Sequence, residues 1–154
     1  MAHQLAQVNI ARLRAPLDSE DLVGFVAALD PVNASADGAP GFVWRLQTDE
    51  GNATSVRAFE WEPQGSAGVI VNMSVWESIE QLSDWVYGPL HRAVLLQRRQ
   101  WFERVSDATT ALWWVRAGGI PTTLDAESRV RHLRGHGPTR HAFSFRETFP
   151  APLA

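Results

Sequence analysis

The sequence predicts an α+β fold of the ferredoxin-like type, in which a β-α-β-β-α-β order of elements builds one four-stranded antiparallel sheet. Several segments alternate apolar and polar residues with the two-residue period of a strand. The segments between them place apolar residues at helical spacing, and the resulting order is that of the split β-α-β unit. With 154 residues the chain can bury one continuous core, so we expect a single domain over residues 1–154.

The first half of the chain predicts a strand, a helix and a second strand. Apolar and polar residues alternate over residues 5–12, which is typical of a strand with two different faces. Asp18 can cap a helix that carries an apolar stripe and ends at the glycines of 38–41. A strand follows at 42–47, and a short run at 56–61 is compatible with an added β-ribbon.

The second half completes the fold and adds a C-terminal helix and strand. Its clearest strand alternates valine and methionine with polar and aromatic residues. Apolar residues at helical spacing then occur on both sides of Gly88 and Pro89, which predicts two linked helices. The predicted elements are a strand at 69–76, helices at 78–87 and 90–102, a strand at 111–116, a helix at 123–134 and a trailing strand at 142–149.

One face of the predicted sheet is rich in polar side chains. In this architecture helices cover a single face. The other face is predicted to hold Gln7, Asn9, Asn72, Ser74, Trp76 and either Trp113 or Trp114. This mixture is too apolar for bulk water and too polar for a dry core. We therefore expect two copies of the chain to pair these faces and to enclose a partly polar cavity for a small-molecule substrate.

Several motifs resemble one family. They are Val71-Asn72-Met73-Ser74-Val75-Trp76-Glu77-Ser78, Tyr87 with His91, Trp101-Phe102, Leu112-Trp113-Trp114-Val115, and His136-Gly137-Pro138-Thr139 with Phe143-Ser144-Phe145-Arg146. Together they resemble a bacterial family of unknown function within the dimeric α/β-barrel superfamily, alongside the antibiotic-biosynthesis monooxygenases. The resemblance covers about residues 5–149 and implies a homodimeric barrel. It implies no single reaction, because that superfamily includes cofactor-free oxygenases, cyclases, isomerases, haem proteins and stress-response barrels.

The resemblance also implies a haem alternative. Haem-degrading monooxygenases of this fold use an Asn on the first strand, a Trp on the helix after the Val-Trp strand and a downstream axial His. Asn9, Trp85 and His91 occupy similar positions here. His91 follows Trp85 by six residues, a shorter interval than in those enzymes, and Gly88-Pro89 interrupts the helix between them.

Candidate site residues follow from their chemistry. His91 is the predicted general acid or base, because imidazole titrates near neutral pH. Asn9 and Asn72 are predicted to act with it by polarising a carbonyl or holding an enolate oxygen. Arginines would anchor an anionic group through a bidentate fork, and indoles would form flat walls. The predicted substrate-binding residues are Gln7, Arg45, Ser74, Trp76, Trp85, Tyr87, Arg92, Trp113 and Trp114.

Composition excludes several classes of function. The chain has no cysteine, which rules out disulfides, zinc–thiolate sites and thiol nucleophiles, and no lysine, which rules out Schiff-base chemistry. The net charge is −3 and the arginines are scattered, so we expect no nucleic-acid partner. No leader or spanning segment is recognised, which indicates a cytoplasmic protein that does not enter the membrane. His132 and His136 are four residues apart, but Gly135 and Pro138 predict a frayed helix end there and no metal site.

The sequence leaves three function classes open. The leading one is an enzyme, without a cofactor, that oxygenates or rearranges an aromatic or keto-enol metabolite by proton transfer, as a monooxygenase, isomerase or cyclase. The second is a haem-binding or haem-degrading barrel. The third is a barrel that binds a small molecule without turning it over.

Overall fold

The structure, a computed structural model, describes residues 2–54, 56–62 and 67–153. Four strands and five α-helices form in this part of the chain, and a short 3-10 turn at Glu20–Leu22 precedes the first helix. In chain order they are β1 (His3–Arg12), α1 (Val23–Asp37), β2 (Phe42–Arg45), β3 (Val69–Trp76), α2 (Ile79–Val86), α3 (Pro89–Leu95), α4 (Arg98–Trp101), β4 (Thr110–Arg116) and α5 (Thr123–His136).

The four strands form one antiparallel sheet in the order β2-β3-β1-β4. The two central strands, β1 and β3, pair over eight residues from Leu5 opposite Trp76 to Arg12 opposite Val69. The edge strand β2 is short, and its register shifts between Phe42 and Trp44. The α+β class and the four-stranded antiparallel sheet are therefore confirmed.

One face of the sheet forms the main core. Alternate residues of the strands, including Val8 and Met73, are almost fully buried on this face. Helix α5 covers them with Ala126, Val130 and Leu133, which lie in the same apolar cluster. A capping box at Thr122 fixes the start of α5, because its hydroxyl accepts from the Asp125 backbone while the Asp125 carboxylate accepts from that of Thr122.

Helices also cover the opposite, polar face. Phe25 and Ala36 of α1 and Leu82 of α2 are buried in apolar clusters that include residues of this face, such as Leu5 and Trp76. Both faces of the sheet therefore carry helices of the same chain. The reasoning that a second subunit must seal a helix-free polar face is wrong for this reason, and the homodimer itself stays a prediction.

Four local predictions also differ from the structure. Asp18 caps no helix, because the 3-10 turn begins at Glu20 and α1 only at Val23. The segment 90–102 forms two short helices, α3 and α4, instead of one. Residues 56–61 form no strand. The trailing strand is reduced to one isolated bridge, between Phe143 and Leu112, because the C-terminal segment touches the outer edge of β4 at a single point.

Candidate functional site

A cavity of about 340 Å³ lies between the polar face of the sheet and helices α1 to α3. Its size falls within the range of small-molecule sites. The sheet contributes Gln7, Asn9, Ala11, Arg45, Ile70, Asn72 and Thr110. The helical side contributes Phe25, Ala28, Leu29, Val32, Asn33, Trp85, Val86, Tyr87, His91, Val94, Leu95 and Arg98. The remaining lining residues are Leu46, Asn52, Ala53, Thr54, Val71, Met73, Phe102 and Phe145. The cavity thus joins polar groups on one side to an apolar wall on the other.

The polar groups form two neighbouring rows across the sheet. In the first row, Thr110 of β4, Asn9 of β1 and Asn72 of β3 lie side by side. In the second row, Gln7 lies opposite Ser74. Antiparallel pairing places these side chains on one face because register partners point the same way. The sequence-predicted amides are thereby brought together.

A buried hydrogen-bond network orients the second row. The Gln7 amide donates to Asn72 Oδ1 and to Ser74 Oγ, both at 2.7 Å. The Trp76 indole N–H also donates to Ser74 Oγ, at 2.8 Å. Because its oxygen accepts from Gln7, Asn72 turns its amide nitrogen away from that bond, and this nitrogen has no hydrogen-bond partner among the described residues. Asn72 can therefore donate to a ligand.

Replacing Ser74 by alanine should destabilise the fold by about 1–3 kcal/mol, the range for buried donors left unsatisfied. The change removes the acceptor shared by Gln7 and Trp76, whose side chains are both buried. Urea denaturation measures the loss. Thr110→Val is the control, because Thr110 accepts only the exposed bond from Asn9 and should lose less. Equal losses in the two variants would contradict a buried network at Ser74.

His91 stands on the helical wall of the cavity. Helix α3 begins at Pro89 after the extended Gly88, where proline suits the first helical position. This tight turn leaves the Val86 carbonyl oxygen 3.0 Å from His91 Nδ1. Burial lowers the pKa of His91 below 6.5, although the Val86 bond opposes the shift. At neutral pH the ring is therefore neutral, with Nδ1–H donating to Val86 and the Nε2 lone pair available as a base.

Trp85 and Tyr87 flank His91. The Trp85 ring centroid lies 4.5 Å from that of His91, and its indole N–H donates to Ser35 Oγ at 3.0 Å. This bond anchors the indole to α1. Tyr87 is 60% exposed and contacts the Phe145 ring, so it forms part of the rim.

Five other predicted residues do not line the cavity, and one of them, Ser74, is buried in the hydrogen-bond network beside it. Trp113 was predicted to bind substrate, but strand alternation places it on the opposite face of the sheet, where it is 1% exposed beneath α5. Trp114 and Trp76 lie on the cavity face but pack in an apolar cluster at one end of the sheet, and the Trp114 indole donates to the Phe149 carbonyl. Arg92 lines an adjoining surface depression.

The structure adds residues that the sequence reasoning missed. Thr110 could have been found from the sequence, because the predicted sheet places a residue of a neighbouring strand beside Asn9. Asn33, Arg98 and Phe145 had none, because their positions depend on how the helices and the C-terminal segment cross the sheet.

The histidines outside the cavity form a surface cluster. Helix α5 runs two residues beyond the predicted 134 and ends at His136, so His136 lies at the helix end as predicted. The rings of His132 and His136 stack with centroids 4.2 Å apart, and His132 Nε2 lies 2.8 Å from Thr139 Oγ1. Over the described ranges, no group of three or more His, Asp or Glu is arranged to hold a metal ion. In the same ranges, no helix has both the length and the apolar content needed to cross a bilayer.

Comparison with known proteins places this geometry in context. The profile of a family described as "Domain of unknown function (DUF3291)" matches residues 4–154. No protein with a curated description matches the chain. Among solved structures, a protein of unknown function from Nitrosomonas europaea, NE2512, is similar at 9% sequence identity and a TM-score of 0.46, over 79% of this chain and 97% of that one.

Proposed function

Because the chain belongs to the family described as Domain of unknown function (DUF3291), which names no activity, we propose from the cavity itself that this protein is an enzyme that moves a proton on a small keto-enol metabolite. One observation carries this proposal. His91, a half-buried neutral base, lines the same cavity as Asn9 and Asn72. Base and hydrogen-bond donors come from opposite walls, which is the arrangement that enolisation requires.

The proposed reaction uses the free atoms of these side chains. His91 Nε2 removes a proton from the carbon next to a carbonyl, while Nδ1–H stays bonded to Val86. The electron pair of the broken C–H bond moves to the carbonyl oxygen, which becomes an enolate. The Asn72 amide nitrogen donates to that oxygen and stabilises the charge. His91 then returns the proton, and delivery to another atom of the substrate gives an isomer. The oxygenation alternative would start from the same carbanion and use dioxygen as the oxidant.

The haem alternative fits these residues less well. A free His91 Nε2 suits an axial ligand, but the Trp85 ring already stands 4.5 Å from the imidazole. On the sheet side, Asn9 agrees with the strand Asn that the resemblance implies, but Asn72 also lines the cavity. Covering the Asn72 amide nitrogen with an apolar macrocycle would remove it from water without a new partner, which is unfavourable.

The wider relationship is also a proposal. The element order and the central position of β1 and β3 support a ferredoxin-like fold related to the dimeric α/β barrels. The amide rows and the indole wall support small-molecule binding in each chain, with or without a second subunit.

Deuterium exchange into small aryl 2-oxo acids such as phenylpyruvate, followed by proton NMR, tests the proposed reaction. The protein should accelerate exchange at the carbon next to the carbonyl, and His91→Gln should slow it by about 10² to 10⁴-fold, the usual contribution of a general base. Since the pKa of His91 lies below 6.5, the rate should fall with acid at a pH below 6.5, where the imidazole gains its proton.

The matched control is Gln97→Ala, an exposed residue beyond the end of α3 that lies outside the cavity wall. Its exchange rate should equal that of the unaltered protein. Binding of these acids without accelerated exchange would replace the enzyme with a binding protein. Full activity in His91→Gln would remove His91 as the base.

A further inference from the structure

The charged side chains of the cavity are of one sign. Arg45, Arg98 and the titratable His91 line it, and no Asp or Glu among the described residues does. The whole chain, in contrast, carries a net charge of −3. The cavity is therefore the place where a negatively charged ligand would meet the least repulsion.

Arg45 is already engaged by its own chain. Its Nε and Nη2 donate to the two carboxylate oxygens of Asp37 at 2.8 and 3.4 Å, and Nη1 donates to the Gly51 carbonyl at 2.7 Å. Each nitrogen of the guanidinium thus has an acceptor. Arg45 holds α1 and the loop after β2 against the sheet edge, and it has little capacity left for a ligand.

Arg98 is different. It is exposed at the start of α4, and its side chain forms no ion pair or hydrogen bond with any described residue. Arg98 lines both the cavity and an adjoining depression, which also carries Arg92 and Arg99. From residue 85 to residue 102 the chain has these three arginines and no Asp or Glu. Arg98 therefore places a positive charge without an ion-pair partner among the described residues at the mouth of the cavity.

An apolar wall continues inward from this positive mouth. Val94 and Leu95 lie at the end of α3, Phe102 directly follows α4, and all three line the cavity. A ligand that reaches Arg98 with an acid group can therefore lay a flat apolar body against these side chains.

We infer that the ligand of this cavity is an amphipathic anion, an aromatic or otherwise flat apolar molecule with one carboxylate or similar acid group bound by Arg98. The step from ligand to substrate rests on the proposed function. With that function, the substrate class is that of aryl oxo acids. Arg98 is a binding residue in this assignment. The bidentate guanidinium–carboxylate pair fixes the orientation of the molecule in the cavity.

Two fluorescent probes that differ by one acid group test this assignment. They are 1-anilinonaphthalene-8-sulfonate and its neutral counterpart N-phenyl-1-naphthylamine. The unaltered protein should bind the sulfonate more tightly than the neutral probe. Arg98→Gln should weaken the sulfonate by about 10-fold or more, as expected for a charge-assisted hydrogen bond, and should change the neutral probe less than about 2-fold. Arg99→Gln, the neighbouring arginine outside the cavity, should change neither probe by more than about 2-fold.

A second variant locates the probe. Ala28 lies on the cavity wall in α1, so Ala28→Trp should fill the cavity and abolish binding of both probes. Unchanged sulfonate binding in Ala28→Trp or in Arg98→Gln would overturn the assignment, as would equal losses in Arg98→Gln and Arg99→Gln or the absence of sulfonate binding to the unaltered protein. These readouts measure binding alone, so anion recognition can fail while exchange activity persists, and the reverse.

Discussion

Glu62→Gln is expected to lower the free energy of unfolding by about 3–5 kcal/mol, the range for breaking a buried ion pair. The Glu62 side chain is 1% exposed. Arg134 of α5 donates to both of its carboxylate oxygens, at 3.0 and 2.8 Å, and Arg12 of β1 donates to one at 3.1 Å. The glutamine amide would remove the charge and turn a donor toward two arginines. Urea denaturation at pH 7 measures the loss, with an unchanged dependence on denaturant.

The stability that the Glu62 ion pairs contribute should also depend on pH. Hydrogen bonds and charge from Arg134 and Arg12 hold the pKa of Glu62 below its ordinary value of 4.5, although burial opposes them. A carboxylate with a lowered native pKa contributes stability above the unfolded pKa and loses it as pH falls through the native pKa. Below pH 4.5 the difference between the unaltered protein and Glu62→Gln should therefore shrink. Glu147→Gln is the control: its exposed side chain has no ion pair among the described residues, and its effect should stay within about 0.5 kcal/mol. A difference that stays constant from pH 7 to pH 3 would contradict this origin.

Trp113→Ala is expected to cost about 3–5 kcal/mol, as large aromatic truncations in cores do. The Trp113 ring is buried between the sheet and α5, and the Arg129 guanidinium lies 5.8 Å from its centroid. Removing it leaves a void beneath α5 that neighbouring side chains cannot fill without backbone movement. Thermal and urea unfolding measure the change.

Trp85→Ala is the matched variant, because Trp85 is an indole on the other side of the sheet. Trp85 is only half-buried and lines the cavity, so its loss should cost less stability and should weaken the neutral naphthylamine probe. Trp113→Ala should leave probe affinity unchanged in the protein that remains folded. A loss of probe affinity in Trp113→Ala with none in Trp85→Ala would contradict the division of the two faces.

The sequence alone determined the elements and the parity of their side chains. Alternation over 69–76 predicts β3 with the bounds that the structure has, because a strand with two unlike faces leaves a period of two in the chain. The same parity groups Gln7 with Asn9 and Asn72 with Ser74, which the register then places in adjoining rows. Gly88 and Pro89 also mark in the sequence where α3 begins, and this places His91 in the first turn of that helix.

The tertiary structure alone decided which helix covers which face and where the cavity lies. Parity cannot choose between Trp113 and Trp114, because two adjacent indoles suit either face; only the register of β4 with β1 turns Trp113 toward α5. Helices α1 to α3 of the same chain cover the polar face, and their apolar residues pack at the ends of the same rows. Arg98 has no sequence signal, because its place at the mouth depends on how the chain turns between α3 and α4. Periodicity in the sequence shows which side chains share a face of a strand or helix. Long-range packing decides which other element covers that face.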